Sequence, residues 1–65
     1  MQEHQKRVAT EKEELDSKLT KLIGFFDTII FAGLPIEEQD RLKRQAAAMT
    51  DYSVVLGERI NAFTE

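Results

Sequence analysis

Large apolar side chains return every three to four residues in two long stretches, one from Val8 to Ile30 and one from Leu42 to Phe63. Residues at that spacing share one face of an α-helix. Gly33 and Pro35 lie between the stretches, and glycine commonly follows a helix end, whereas proline fits the first turn of the next helix. The pattern predicts an all-α protein built as an antiparallel two-helix hairpin.

The chain of 65 residues is expected to form a single domain, residues 1–65. Helix 1 is predicted over about residues 3–31, the turn over 32–34 and helix 2 over about 35–63. Gly33 is expected to take the left-handed conformation that ends many helices. Glu37 and Glu38 follow Pro35, where their carboxylates complement the positive end of the helix dipole.

The two helices are predicted to meet along a seam of apolar residues at alternating steps of three and four. In the antiparallel register Leu22 lies near Ala46, and Leu15 lies near Ser53, so that large residues face small ones. Gly57 in helix 2 predicts a close approach by a neighbouring group, because glycine destabilises a helix interior. The predicted hairpin core comprises Val8, Leu15, Leu19, Leu22, Phe26, Ile29, Leu42, Ala46, Met49, Ser53, Leu56, Ile60 and Phe63.

The chain has more large apolar residues than one seam can hold, and two helices cannot enclose a core. It has no cysteine, and chains of this size commonly need a staple or self-association to be stable. We therefore expect a homo-oligomer, a dimer or higher assembly, with a dimeric four-helix bundle as the simplest closure. The predicted oligomer interface comprises Ile23, Phe25, Ile30, Val54 and Val55.

Charge and residue inventory exclude several classes of function. The net charge of −3 argues against binding to nucleic acid or a membrane surface through a broad positive field. No apolar stretch is long enough for a signal sequence or a membrane span, so a cytoplasmic protein is expected. The chain holds one histidine, His4, and no glycine-rich phosphate loop. We expect no enzyme activity and no cofactor.

A metal site is also not expected. Asp51 and Glu58 lie seven residues apart on one helix face and could bind a metal only across a symmetric interface. Because no histidine accompanies them, a solvated or salt-bridged face is the favoured interpretation.

A few polar and aromatic residues are candidates for binding a phosphorylated ligand. Arginine suits bidentate contact with phosphate, and an aromatic ring can stack on a base. Two other interpretations stay open: the basic residues pair with Asp27, Glu37 or Asp40, and Tyr52 belongs to the subunit interface. The candidate ligand residues are Arg41, Arg44, Tyr52, Arg59, Phe25 and Asn61.

Several segments carry a resemblance to known proteins. They are EKEELDSKLTKL over residues 11–22, FAGLP over 31–35, EQDRLKRQ over 38–45, MTDY over 49–52 and LGERI over 56–60. With these segments the chain resembles short helical-hairpin proteins encoded by tailed phages and prophages. In size and architecture it is similar to phage proteins that form symmetric oligomers and sequester cyclic nucleotide signals of host defences.

The resemblance implies a non-enzymatic counter-defence protein that binds a cyclic nucleotide immune signal at its subunit interfaces, in the cytoplasm of the host cell. The resemblance does not assign any ligand-binding residue in this chain. The alternative is an interaction adaptor or a structural accessory protein of a phage or prophage. In that case a host or phage protein would cover the apolar flank that includes Val54 and Val55.

Overall fold

The computed structural model describes residues 2–63, which contain three helices and no strand. Helix α1 spans Glu3–Phe25, α2 spans Ile29–Ala32 and α3 spans Ile36–Asn61. The two long helices, α1 and α3, pack against each other in a molecule of 49 × 14 × 13 Å. The ring of His4 meets the ring of Phe63 edge-on at 6.3 Å between centroids, so the start of α1 lies beside the end of α3.

The seam between α1 and α3 follows the predicted spacing. Leu56 is completely buried, and Val8 and Ala46 are nearly so. The other predicted core residues are half-buried, with the exception of Ile29. Lys12 of α1 bonds to Ser53 of α3, within one helical turn of the register expected from pairing Leu15 with Ser53. Half-burial along most of the seam is the geometric result of having only two helices.

Helix α1 ends six residues earlier than predicted. The amide groups of residues 26–28 bond to carbonyls three residues back, which tightens the last turn, and Thr28 then becomes extended, with φ −98° and ψ 156°. The Thr28 hydroxyl donates to the carbonyl of Phe25 at 2.7 Å and accepts from the amide of Phe31 at 3.1 Å. Thr28 therefore closes one helix and caps the next.

This break corrects the prediction that Ile29 belongs to the hairpin core. Ile29 is 91% exposed, whereas Phe31 is only 6% exposed. The Phe31 ring lies against Phe25 at 5.8 Å and Phe26 at 4.8 Å between centroids. Because the chain leaves helical geometry at Thr28, the seven-residue spacing from Leu22 no longer places Ile29 on the seam.

The chain also reverses its direction at the turn without a residue in the left-handed conformation. Gly33 has φ −84° and ψ −6°, not the left-handed conformation expected, and no residue in the described range has positive φ. Extended backbone at Thr28 and Pro35 makes the reversal instead. Pro35 lies just before α3 as its N-cap. The Gln39 amide fixes the connection by donating to the carbonyls of residues 32 and 34, at 3.3 and 2.9 Å.

Candidate ligand site and subunit interface

Arg41 and Arg44 lie in the first half of α3, and each already has a partner on its own helix. The Arg41 Nε donates to Glu38 at 2.8 Å, and the Arg44 Nε donates to Asp40 at 2.9 Å. The arginine side chains are 60% and 70% exposed, and exposed pairs of this kind contribute little to stability. A guanidinium has five N–H donors. Both side chains therefore keep donors free for an anion.

The other candidate ligand residues are spread along the hairpin. Tyr52 is 44% exposed, and Arg59 and Asn61 are exposed near the far end of α3. From Arg41 to Arg59 the helix rises roughly 27 Å at about 1.5 Å per residue. Small-molecule pockets of about 300–1,000 Å³ are only roughly 7–10 Å across. A single copy does not bring these residues into one pocket.

Phe25 lies at the turn end of the hairpin, away from Tyr52. It is half-buried because its ring packs edge-on against Phe31. The ammonium of Lys43 lies 6.0 Å from the centroid of the Phe31 ring, at the limit of a cation–π contact. Phe25 therefore serves the packing of the turn, and Phe31 is a buried residue that the seven-residue spacing did not predict.

The predicted oligomer interface remains open in the single hairpin. Ile23, Ile30, Val54 and Val55 are all exposed, and Phe25 is half-buried. Two further isoleucines at the turn end, Ile29 and Ile36, are also exposed. Exposed apolar side chains are common singly, but grouped ones mark interaction sites. The hairpin thus presents apolar side chains both at its turn end and on α3.

A polar cluster crosses the seam where large apolar residues would otherwise meet. The Lys12 ammonium donates to the Asp16 carboxylate at 2.7 Å and to the Ser53 hydroxyl at 3.0 Å, and Ser53 donates to the other Asp16 oxygen. A Cβ atom added to Gly57 would lie 3.4 Å from the Lys12 side chain. The close approach expected at Gly57 is therefore made by Lys12. Isolated polar groups in a helical seam specify register.

This cluster also shifts the titration of Asp16. The hydrogen bond from Lys12, and then the one from Ser53, hold the pKa of the Asp16 carboxyl below its usual value. Both bonds favour the charged carboxylate. The sequence holds a signal for this cluster, because Lys12 and Ser53 occupy positions of the seam spacing. A polar side chain at such a position is costly unless it has a hydrogen-bond partner.

Other chemistry has little support among residues 2–63. No group of three histidine, cysteine or carboxylate side chains in this range could hold a metal ion. A shallow depression of about 340 Å³ on the outer side of α1 is lined by Glu13, Glu14, Ser17, Lys18 and Lys21, which come from one helix and carry both signs of charge. No described helix is apolar over a length that would cross a bilayer.

Comparison with known proteins adds one finding. The family model described as Sequestin matches residues 2–62, which is nearly the whole chain. No curated protein and no solved structure matches significantly. The name of the family suggests sequestration of a ligand, and hence a binding protein rather than an enzyme.

Proposed function

This chain belongs to the Sequestin family, and we propose that it is a phage counter-defence protein that sequesters a cyclic nucleotide immune signal of the host. It acts without catalysis, as a homo-oligomer that holds the signal at its subunit interfaces in the host cytoplasm. The observation that carries the proposal is the family match over residues 2–62. Its phage setting rests on the resemblance of segments such as residues 11–22 and 38–45 to phage hairpin proteins.

The chemistry of α3 supports a phosphorylated ligand. Arg41, Arg44 and Arg59 are exposed cations on one helix, and charge-assisted bonds from arginine to phosphate are stronger than neutral hydrogen bonds. Tyr52 offers a partly exposed ring for stacking on a base. The weak ion pairs of Arg41 and Arg44 with their own helix can be exchanged for a phosphate without large loss.

The spread of these residues supports binding between subunits. Arg41 and Arg59 are separated by more than the width of a small-molecule pocket, so a ligand that touches both needs them from different copies. The exposed Val54 and Val55 lie between them in sequence and supply apolar surface for such a contact. A sequestering protein gains from this arrangement, because ligand binding and assembly then stabilise each other.

Isothermal titration tests the proposal directly. The protein is titrated with a panel of cyclic dinucleotides, cyclic trinucleotides and cyclic ADP-ribose isomers. We expect heat and saturation with at least one member. Arg41→Ala should weaken that binding at least tenfold, because a hydrogen bond to a charged group contributes about 1.5–3 kcal/mol. Lys18→Ala, which removes a cation from the outer side of α1, is the matched control and should bind normally.

Recovery of the ligand separates sequestration from degradation. The complex with the binding member is heated to denature the protein, and the released ligand is identified by mass spectrometry. Sequestration predicts the unchanged molecule in stoichiometric yield. A hydrolysed product would identify an enzyme, and the absence of heat with every member of the panel would remove the proposed ligand class.

A second candidate function is a protein-interaction adaptor or structural accessory protein. Exposure of Ile29, Ile30 and Ile36 at the turn end favours it, because an apolar helix end can receive a helix of another protein. Pull-down from infected lysate with the wild type and with Ile30→Ser tests this function. A stoichiometric partner that the variant loses, together with silent titrations, would favour the adaptor over the sequestering protein.

A further inference from the structure

The outer face of α3 carries an exposed strip that lies opposite the seam. Successive residues of a helix are about 100° apart, which places Asp51 roughly 180° from Leu42 and Ile60 of the seam. Residues within about 60° of Asp51 on either side form this strip, here called the outer strip. They are all exposed and include Arg44, Ala47, Ala48, Asp51, Val54, Val55 and Glu58.

The outer strip is complementary to itself when it is reversed. Ala47 and Ala48 precede Asp51 by four and three residues, and Val54 and Val55 follow it by three and four. A second copy placed antiparallel, with a two-fold axis at Asp51, sets Val54 against Ala47 of the partner subunit. It sets Val55 against Ala48 of the partner subunit in the same way. At all four of these positions a valine then meets an alanine.

Charges on the strip agree with the same alignment. Arg44, which also bonds to Asp40 of its own helix, lies seven residues before Asp51, and Glu58 lies seven residues after it. Reversal about Asp51 therefore brings Arg44 opposite Glu58 of the partner subunit, twice in each dimer. The two copies of Asp51 meet at the axis, where their like charges oppose association. Opposite charges flank the contact, and a single repulsive pair sits at its centre.

We propose that α3 packs antiparallel against α3 of a second copy, with the two-fold axis at Asp51, and that this pairing builds the ligand site. The second part rests on the function proposed above. Arg41, Tyr52 and Arg59 lie on one flank of the strip, about 80–100° from Asp51. The two-fold axis keeps this flank on the same side of both copies.

The pairing resolves the separation of the candidate ligand residues. Arg41 lies ten residues before Asp51, and Arg59 lies eight residues after it. After reversal about Asp51, Arg59 of the partner subunit therefore lies only two residues, or about 3 Å, from Arg41 along the helix axis. Each dimer thus has two equivalent positions where guanidinium groups from different subunits converge, with the Tyr52 rings between them. Converging cations repel each other until an anion joins them, so phosphate binding and dimerisation are linked.

Disulfide cross-linking tests the position of the axis without any ligand. The chain has no cysteine, so Asp51→Cys introduces the only thiol. Helices about 8–10 Å apart, with Cα atoms about 2.3 Å from each axis, bring the two Cα atoms at the axis to roughly 3.5–5.5 Å. Disulfides need about 4.4–6.8 Å. We expect oxidised dimer to form at least tenfold faster than with Ser17→Cys on the outer side of α1. Equal rates would overturn the pairing.

A charge exchange tests the flanking pairs. Arg44→Glu or Glu58→Arg alone should weaken dimerisation about tenfold in sedimentation equilibrium, because each places like charges together twice. The double variant should return to within about threefold of the wild type. Lys18→Glu is the control for net charge and should dimerise normally. A double variant that keeps its helical circular dichroism but stays as weak as the single ones would overturn the alignment.

Pyrophosphate as a simple probe tests the link to the ligand site. It should speed cross-linking of Asp51→Cys severalfold, and Arg59→Ala in the same background should abolish that effect. An unchanged rate with pyrophosphate would remove the shared anion site and leave the pairing in place. These outcomes are independent of the cyclic nucleotide panel: failure of the panel with cross-linking intact removes the proposed function alone.

Discussion

Truncation of Leu56 to alanine tests how far the seam between α1 and α3 determines the stability of the fold. Leu56 is the only described large side chain with 0% exposure. Its replacement removes three carbon atoms at about 0.8 kcal/mol each, and the residual cavity raises the expected loss to about 2.5–4 kcal/mol. Chains of this length have roughly 3–10 kcal/mol of stability in all. The variant should therefore lose at least about a quarter of that stability.

Urea denaturation followed by circular dichroism at a fixed protein concentration measures this loss. With a slope near 1 kcal/mol per molar urea, the midpoint of Leu56→Ala should fall by about 2.5–4 M. Ile29→Ala is the matched control, because spacing alone puts Ile29 in the core whereas the structure exposes it. The control should lose less than about 0.5 kcal/mol. Similar losses in both variants, or less than 1 kcal/mol at Leu56, would refute the described packing.

Three further predictions concern the turn, the polar cluster and the glycines. Phe31→Ala should destabilise the protein by about 3–4 kcal/mol, as judged by the urea midpoint, because Phe31 is buried against two rings. Because the pKa of Asp16 is lowered in the folded state, its contribution to folding stability is complete above the unfolded-state pKa of about 3.9. That contribution is lost as the pH falls through the lower folded-state pKa. Asp16→Asn should therefore reduce the fall in the free energy of unfolding at acidic pH, measured by urea denaturation at several pH values. An unchanged dependence on pH would contradict the polar cluster. Gly57→Ala should stabilise α3 by about 0.5–1 kcal/mol in thermal melts, because the added Cβ would lie at contact distance, 3.4 Å, from the flexible Lys12 side chain. Gly24→Ala, with open space around it, is the comparison, and a destabilised Gly57→Ala variant would contradict the described contact.

The hairpin seam was predictable because its physics is local and periodic. Side chains at alternating steps of three and four must share a helix face, and only an antiparallel arrangement joins two such faces through a short turn. Leu22, Ala46 and Leu56 therefore lie on the seam as the spacing indicates. Periodicity carried less information at the ends, where α3 stops at Asn61 rather than at about residue 63.

The break at Thr28 escaped prediction because two local preferences compete there. Apolar Ile29, Ile30 and Phe31 continue the helical spacing of Leu22 and Phe26, which favours one uninterrupted helix. The hydroxyl of Thr28 instead satisfies a carbonyl of α1 and an amide of α2, and threonine competes with helix through such bonds. The signal was present, since a threonine before an apolar stretch is a common N-cap.

The candidate site was predictable only as a set of exposed residues. Arginines and a tyrosine in α3 indicate phosphate and base contacts by their chemistry, whatever the fold. In the proposed dimer their assembly depends on a second copy, and the spacing along one chain holds no direct record of a partner. The proposed alignment rests on the symmetric placement about Asp51 of two alanines before it and two valines after it, and of Arg44 and Glu58 on either side.

The molecular mass in solution tests most directly whether this protein functions as a homo-oligomer. Sedimentation equilibrium from about one to one hundred micromolar, combined with thermal melts at the same concentrations, gives both assembly and stability. We predict a multiple of the 7.5 kDa chain mass and a melting temperature that rises with concentration, because assembly stabilises the folded state by mass action. A 7.5 kDa particle that melts cooperatively at a concentration-independent temperature would contradict the oligomer and the site built on it.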